Sequence, residues 1–264
     1  ITSYVLFFSI EIVFGIVYSL ILNWRIKMVY PWLDSEVKLG RGLLKKYPEI
    51  SKYIKQLMVH RISSFVQFQL TPFLIYGFVS LPIVALYNNY TTITDKVSGF
   101  VNGILDSTTA GVGNLISEGN HDKIYELYKE LFSFRFWIAG ILSSCVYFLS
   151  SDFISLWLGK QYELSNLVVL CVAVIFFYSI ARSVTDQFIN GYGLFYDVWA
   201  PVTEIALFVS ASIIFGSKYS LPGVLMGPIF SMTIIIYIWK PYFLFSRGFK
   251  LPVYQYWILF FTDI

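Results

Sequence analysis

The sequence predicts an all-α, polytopic transmembrane helix bundle, and three observations carry that prediction. Only 13% of the 264 residues are charged while 57% are hydrophobic, about half the charge of an ordinary soluble domain. Apolar runs of roughly 20 residues recur along the whole chain, the length a helix needs to cross about 30 Å of hydrocarbon. A membrane barrel would instead alternate over segments of about ten residues. The lysines and arginines are also sorted, with sixteen of the nineteen in alternate connecting segments. The positive-inside rule assigns that basic set (25–61, 117–135, 182–197 and 240–250) to the cytoplasm. The other set (87–96, 151–163 and 217–222) holds only Lys96, Lys160 and Lys218.

Seven full spans follow, at 2–24, 62–87, 95–117, 131–151, 164–186, 198–216 and 223–246, with an eighth opening near Tyr256. The chain begins at Ile1 rather than Met and stops inside the new apolar run, so it reads as an internal fragment of a longer protein. Glu11 lies within the first span. In the 25–61 segment, Ile50, Tyr53, Ile54, Leu57 and Met58 share a helical face opposite Lys52 and Lys55. That pattern suits a helix on an anionic leaflet, and the tether between two spans argues against nucleic acid as its partner. The second span carries Gln67 and Gln69, with Pro72 and Pro82 expected to kink it. HDKIYELYKEL at 121–131 places Ile124, Leu127, Tyr128 and Leu131 on one face of a second short amphipathic piece. Arg135 and Arg182 stand at the cytoplasmic mouths of their spans, as snorkelling anchors or as substrate contacts. Glu204 falls about two turns into the sixth span. Cys145 and Cys171 sit in apolar runs without ligand-like neighbours and read as small buried hydrophobes.

The third span departs from its neighbours. Stepped by three and four, one stripe reads Lys96, Gly99, Gly103, Asp106, Ala110, Gly113 and Ser117, with Asn102 beside it. Phe100, Val101, Ile104, Leu105, Val112, Leu115 and Ile116 lie on the other side, facing lipid in this reading. Gly99 and Gly103 form a GxxxG pair, so close helix packing is one explanation. Packing alone does not require Asp106 near mid-membrane, where an ionised group needs water or a partner. A helix lining a polar cavity is the preferred reading.

An enzyme is not expected. The two histidines, His60 and His121, lack clustered carboxylates, and 151–163, the longest external segment, holds no acid–base pair. No phosphate loop, metal-ligand cluster or nucleophile with its base is present in the sequence, and no cofactor or metal is expected. Secondary transport is the better class.

Three stretches carry a family resemblance. FISLWLGKQYELS at 153–165 resembles the external loop of bacterial oligosaccharide and O-antigen flippases, the Wzx-type branch of the MATE-like superfamily. GVGNLISEGNHDKIYELY at 111–128 is similar to their cytoplasmic turn after the eighth span, and GLFYDVWAPVTE at 193–204 to their turn into the eleventh. The chain departs from the family at Val198–Ala200, where basic residues are common, and at Phe208, where Asn is. The resemblance implies a MATE-like two-lobe transporter fold. Residues 1–24 would be the last helix of the first lobe, 25–61 the cytoplasmic linker, 62–246 the second six-helix lobe, and 247–264 a turn into a further span.

It further implies movement of an undecaprenyl-diphosphate-linked oligosaccharide, an O-antigen or capsule repeat unit, across the bacterial inner membrane by alternating access. Coupling would be to H+ or Na+, with polysaccharide polymerase, glycosyltransferases and membrane lipids as partners. Placement on the helices makes Lys96, Arg135 and Arg182 candidates for the diphosphate and Asn102, Asp106 and Asn114 for the sugars. Asp106, Glu204 and Glu11 are candidates for the coupling ion. A multidrug or ion antiporter or a lipid II flippase of the same fold is the alternative, and a membrane glycosyltransferase or polymerase a more distant one.

Overall fold

The computed structural model describes residues 2–32, 42 and 44–262, and every regular element among them is helical. Part of the expected linker, 33–41 with residue 43, lies outside the described residues, as do Asp263 and Ile264. The chain forms two units, Ile1–Lys52 and Tyr53–Ile264. In the first, α1 (Thr2–Val29) exposes its apolar side chains from Val5 onward, as a helix that meets lipid all round would.

Most of the second unit is a succession of helical hairpins. It opens with the part from Tyr53 onward of α2 (Pro48–Phe78), in which Tyr53, Ile54, Leu57 and Met58 of the expected surface segment form an exposed flank of one long helix. α2 contains Pro72 but stops at Phe78; Ser80 is extended, and Pro82 opens α3 (Leu81–Leu105). Proline suits a first helical turn because its missing N–H has no intrahelical partner there. Pro82 therefore starts a helix rather than kinking one. The expected loop at 87–96 is helical, and the turn falls at Val79–Ser80. Hydropathy misplaces it because Asn88, Asn89, Thr91 and Thr92 look like a loop, yet Thr92 folds its hydroxyl back onto the Asn88 carbonyl (2.7 Å) and stays helical.

A 3₁₀ turn at Asp106–Thr108 links α3 to α4 (Thr109–Glu118). Gly119, at φ 75°, ends α4 in the left-handed region, which costs glycine little. Asn120 then caps α5 (His121–Trp157), its side chain accepting the Lys123 N–H at 3.2 Å. After a short turn come α6 (Asn166–Ala181) and α7 (Ser183–Gly191).

The next segment, α8 (Trp199–Met232), is two helices folded against each other. Ser220 (φ 53°, ψ −133°) breaks it, and Ser212 donates to the Val224 carbonyl at 2.9 Å. A Cβ at Gly223 would run into the Phe215 carbonyl, and one at Gly227 into Ser212. Gly223→Ala is therefore expected to destabilise the protein by about 1–3 kcal/mol, the usual cost of overpacking. Thermal unfolding in detergent would read this; an unchanged midpoint would mean that the hairpin opens freely.

Beyond Met232 the helix is π-wound at Thr233–Trp239, passes through α9 (Lys240–Phe243), and is π-wound again at Leu244–Phe249. Pro241 gives a local reason, since a proline ring strikes the carbonyl four residues back in ordinary α-winding. The described chain ends in α10 (Tyr254–Thr262).

Four stretches are long and apolar enough to cross a membrane: Val5–Val29, His121–Trp157, Asn166–Gly191 and Trp199–Phe249. The last contains the reversal at Ser220, so it supplies two antiparallel helices. Two levels of cross-links mark depth in the bundle. At one, the Tyr90 hydroxyl meets Ser151 (3.2 Å) and accepts the Leu164 N–H (3.1 Å). At the other, Arg135 of α5 reaches Leu105, Ser183 and Gln187. Along α3 they are about 23 Å apart at helical rise. Near the Arg135 end, Tyr128 sits at the centre of an aromatic cluster with Phe132, Phe188, Phe245 and Phe249, ring centres 5.0–5.8 Å away.

Candidate functional site

The stripe of the third span exists, but its surroundings differ from expectation. Lys96, Gly99, Gly103, Asp106, Ala110 and Ser117 are exposed and Gly113 is half-buried. On the bulky side, Val112 is buried and Val97, Val101, Leu115 and Ile116 lie against the cores, whereas Phe100 and Ile104 are exposed as expected. The helix thus packs part of its apolar side on its neighbours and leaves its small, polar stripe outward together with Phe100 and Ile104. A Cβ added at Gly99 or Gly103 would meet nothing within 4 Å. Among the described residues, then, no helix packs on the GxxxG pair. Ala85, Asn88 and Thr92 extend the exposed stripe upstream, giving it about 48 Å of length at helical rise, more than the hydrocarbon thickness of about 30 Å.

Lys96 lies between the two levels of cross-links, roughly 9 Å from Tyr90 and 15 Å from Asp106 along the helix. It is exposed and, among the described residues, forms no ion pair. The Asn102 side chain is half-buried, and its Oδ1 is enclosed without a hydrogen-bond partner. Asn114 is exposed further along.

Asp106 lies level with Arg135, whose Nη1 stands 3.5 Å from Asp106 Oδ1. The Arg135 side chain is 1% exposed and Asp106 60%, so the arginine is the buried partner and neither snorkels nor lines an open face. Its guanidinium donates to Ser183 Oγ (2.5 Å), the Leu105 carbonyl (2.9 Å) and Gln187 Oε1 (3.2 Å). In an α-helix the Leu105 carbonyl would accept the Thr109 N–H, which here turns to Asp106 instead. Arg135 therefore holds the 3₁₀ break in place. Gln187 closes the ring, donating to the hydroxyls of Thr108 (2.9 Å) and Thr109 (3.1 Å).

A second charged cluster lies on α7 and the helices packed against it. Asp186 takes Arg182 Nε at 2.9 Å and Lys240 Nζ at 2.5 Å. Glu204 is buried within electrostatic reach of Arg182, with Oε1 enclosed and unpartnered. Two cations and two carboxylates are thus packed together, and Arg182 is held inside the protein. A third tie was hidden from sequence inspection: Asp197, buried ahead of α8, accepts Trp239 Nε1–H (3.1 Å) and faces His60 Nε2 at 3.3 Å. Among these partners only Arg182 and Asp186 had a visible signal, their i,i+4 spacing.

Glu11 is exposed on α1 of the first unit. Cys171 is buried as expected, whereas Cys145 is exposed on α5. Among the described residues no group of three His, Cys, Asp or Glu side chains could hold a metal. No family model matches the chain, and neither a curated protein nor a solved structure shows significant similarity to it.

Proposed function

We propose that the chain is part of a secondary transporter that moves a polyprenyl-diphosphate-linked oligosaccharide across the bacterial inner membrane. In this reading the fold is MATE-like: α1 closes one lobe, and the helices from 62 to 246 form the other. The Arg135 end faces the cytoplasm, in line with the sorting of basic residues. The observation that carries the reading is Lys96, exposed and free of ion pairs among the described residues, on a small, polar helix face between two levels of internal cross-links. A lysine turned to lipid near mid-membrane costs about 2.5–3.5 kcal/mol, so this face suits a watery cavity between lobes. A diphosphate supplies the anion for Lys96, and Asn88, Thr92, Asn102 and Asn114 offer hydrogen bonds to sugar hydroxyls.

The other candidates take different roles. Arg135, Arg182 and Asp106 are engaged within the lobe, where matched charges let it rock as one body. Glu204, enclosed with one unpartnered oxygen beside Arg182, is the candidate for the coupling ion. An exporter of small cations would want an open face free of cations; Asp95 and Asp106 are exposed there, and Lys96 beside them disfavours it.

Replacing Lys96 tests the reading. Lys96→Gln should lower glycan at the cell surface about tenfold per unit of membrane protein, equivalent to roughly 1.4 kcal/mol, while Lys96→Arg retains most export. Phe100→Leu, exposed beside the stripe, should export normally. Normal surface glycan from Lys96→Gln would remove this face from the transport route.

A further inference from the structure

Two adjoining chambers open beside the π-wound helix. One, of roughly 370 Å³, is apolar, lined by Ile234, Ile238 and Trp257 together with Trp199, Trp239 and Tyr242. The other, of roughly 510 Å³, shares those last three walls and adds Tyr196, Asp197 and Arg247. A single cleft therefore changes from hydrocarbon-like to charged along its length.

Its walls are fixed rather than loose. The Trp239 indole N–H is bonded to Asp197, its ring stands 4.4 Å from Trp199, and it stacks on Phe243 at 17° between planes. Asp197 is tied into the wall rather than turned to Arg247: one oxygen takes the Trp239 N–H and the other stands 3.3 Å from His60 Nε2. Arg247 is exposed and, among the described residues, forms no ion pair. The polar chamber thus offers a free guanidinium, a strong phosphate ligand. Tryptophan and tyrosine gather where a membrane meets water, and the cleft lies at the end of the bundle carrying Lys240, Arg247 and Lys250.

We infer that this cleft binds an anionic phospholipid of the adjacent leaflet, with its phosphate on Arg247 and one acyl chain against Ile234, Ile238 and Trp239. A soluble anion would leave the apolar chamber empty, and a neutral lipid would leave Arg247 without a counter-charge. The inference depends on the membrane reading and is independent of the transported substrate.

Native mass spectrometry of the full-length protein, loaded from mixed phosphatidylglycerol and phosphatidylcholine micelles, tests it. The wild type should retain phosphatidylglycerol about fivefold over phosphatidylcholine, the preference expected of one cation at an anionic surface. Arg247→Gln should abolish the preference and Lys250→Gln, just outside the cleft, should preserve it. Ile238→Trp, which fills the apolar chamber from an exposed position, should reduce retention of both lipids. Equal retention by the wild type would overturn the site, as would Lys250→Gln losing the preference as fully as Arg247→Gln. Displacement of phosphatidylglycerol by soluble glycerol phosphate would also overturn it, showing a site for the free anion instead.

Discussion

Arg135→Met is expected to lower stability by about 2–4 kcal/mol, chiefly because enclosed acceptors lose their donor. Most of the protein should then be missing from the membrane fraction. The reason is geometric. One guanidinium serves Ser183, Gln187 and the Leu105 carbonyl and stands beside Asp106. Methionine fills a similar volume but leaves Ser183 Oγ and Gln187 Oε1 without this donor, at roughly 1–3 kcal/mol each, while the Leu105 carbonyl keeps only the Thr108 hydroxyl (2.8 Å). Arg135→Lys should recover only part of the loss, because a single ammonium cannot reproduce the planar fork that spans three acceptors. Thermal unfolding in detergent, followed with a thiol-reactive dye, distinguishes the three proteins. A methionine variant as stable as the wild type would show that the buried arginine is dispensable.

Asp186→Asn should be nearly as severe, at about 3 kcal/mol, because it leaves Arg182 and Lys240 facing each other with too little negative charge. The side chain is 25% exposed, which places the loss at the lower end of the range of about 3–5 kcal/mol for breaking a buried pair. Removing the second cation as well, in Asp186→Asn combined with Lys240→Met, should restore part of the stability, since the pair is then matched again. If the double variant unfolds earlier than the single one, repulsion between the cations is not the cause.

The helical class was legible because it rests on apolar run length and on charge sorting, both properties of the chain alone. The reversal at Ser220 falls inside the predicted 217–222 connection, where Ser217, Lys218, Ser220 and Pro222 break the apolar pattern. Tertiary partners were not legible. The polar run at 88–92 looked like a loop because hydropathy sees Asn and Thr but not that Tyr90 is buried and bonded to Leu164 and Ser151. Asp106 looked uncompensated because its partner, Arg135, stands on the next helix but one in the chain, after α4. The stripe was seen correctly as a stripe, while which side faced the bundle depended on neighbours that sequence periodicity does not name.

The wide winding of the last helix gives that part of the chain slack. In an α-helix, deleting one residue rotates everything beyond it by about 100°, which at most positions would throw buried side chains out of register. A π-turn holds one residue more than an α-turn, so Thr233–Trp239 can lose a residue and tighten toward α-winding, at the cost of pressing the Pro241 ring on the Tyr237 carbonyl, and still deliver Lys240 on the side of Asp186. The hairpin before it has no such reserve: between Ser212 and Val224 the helices meet through glycine and a single hydrogen bond, and a missing residue there would move the contact itself. One membrane helix is thus tolerant of length change in its second half and intolerant at its start.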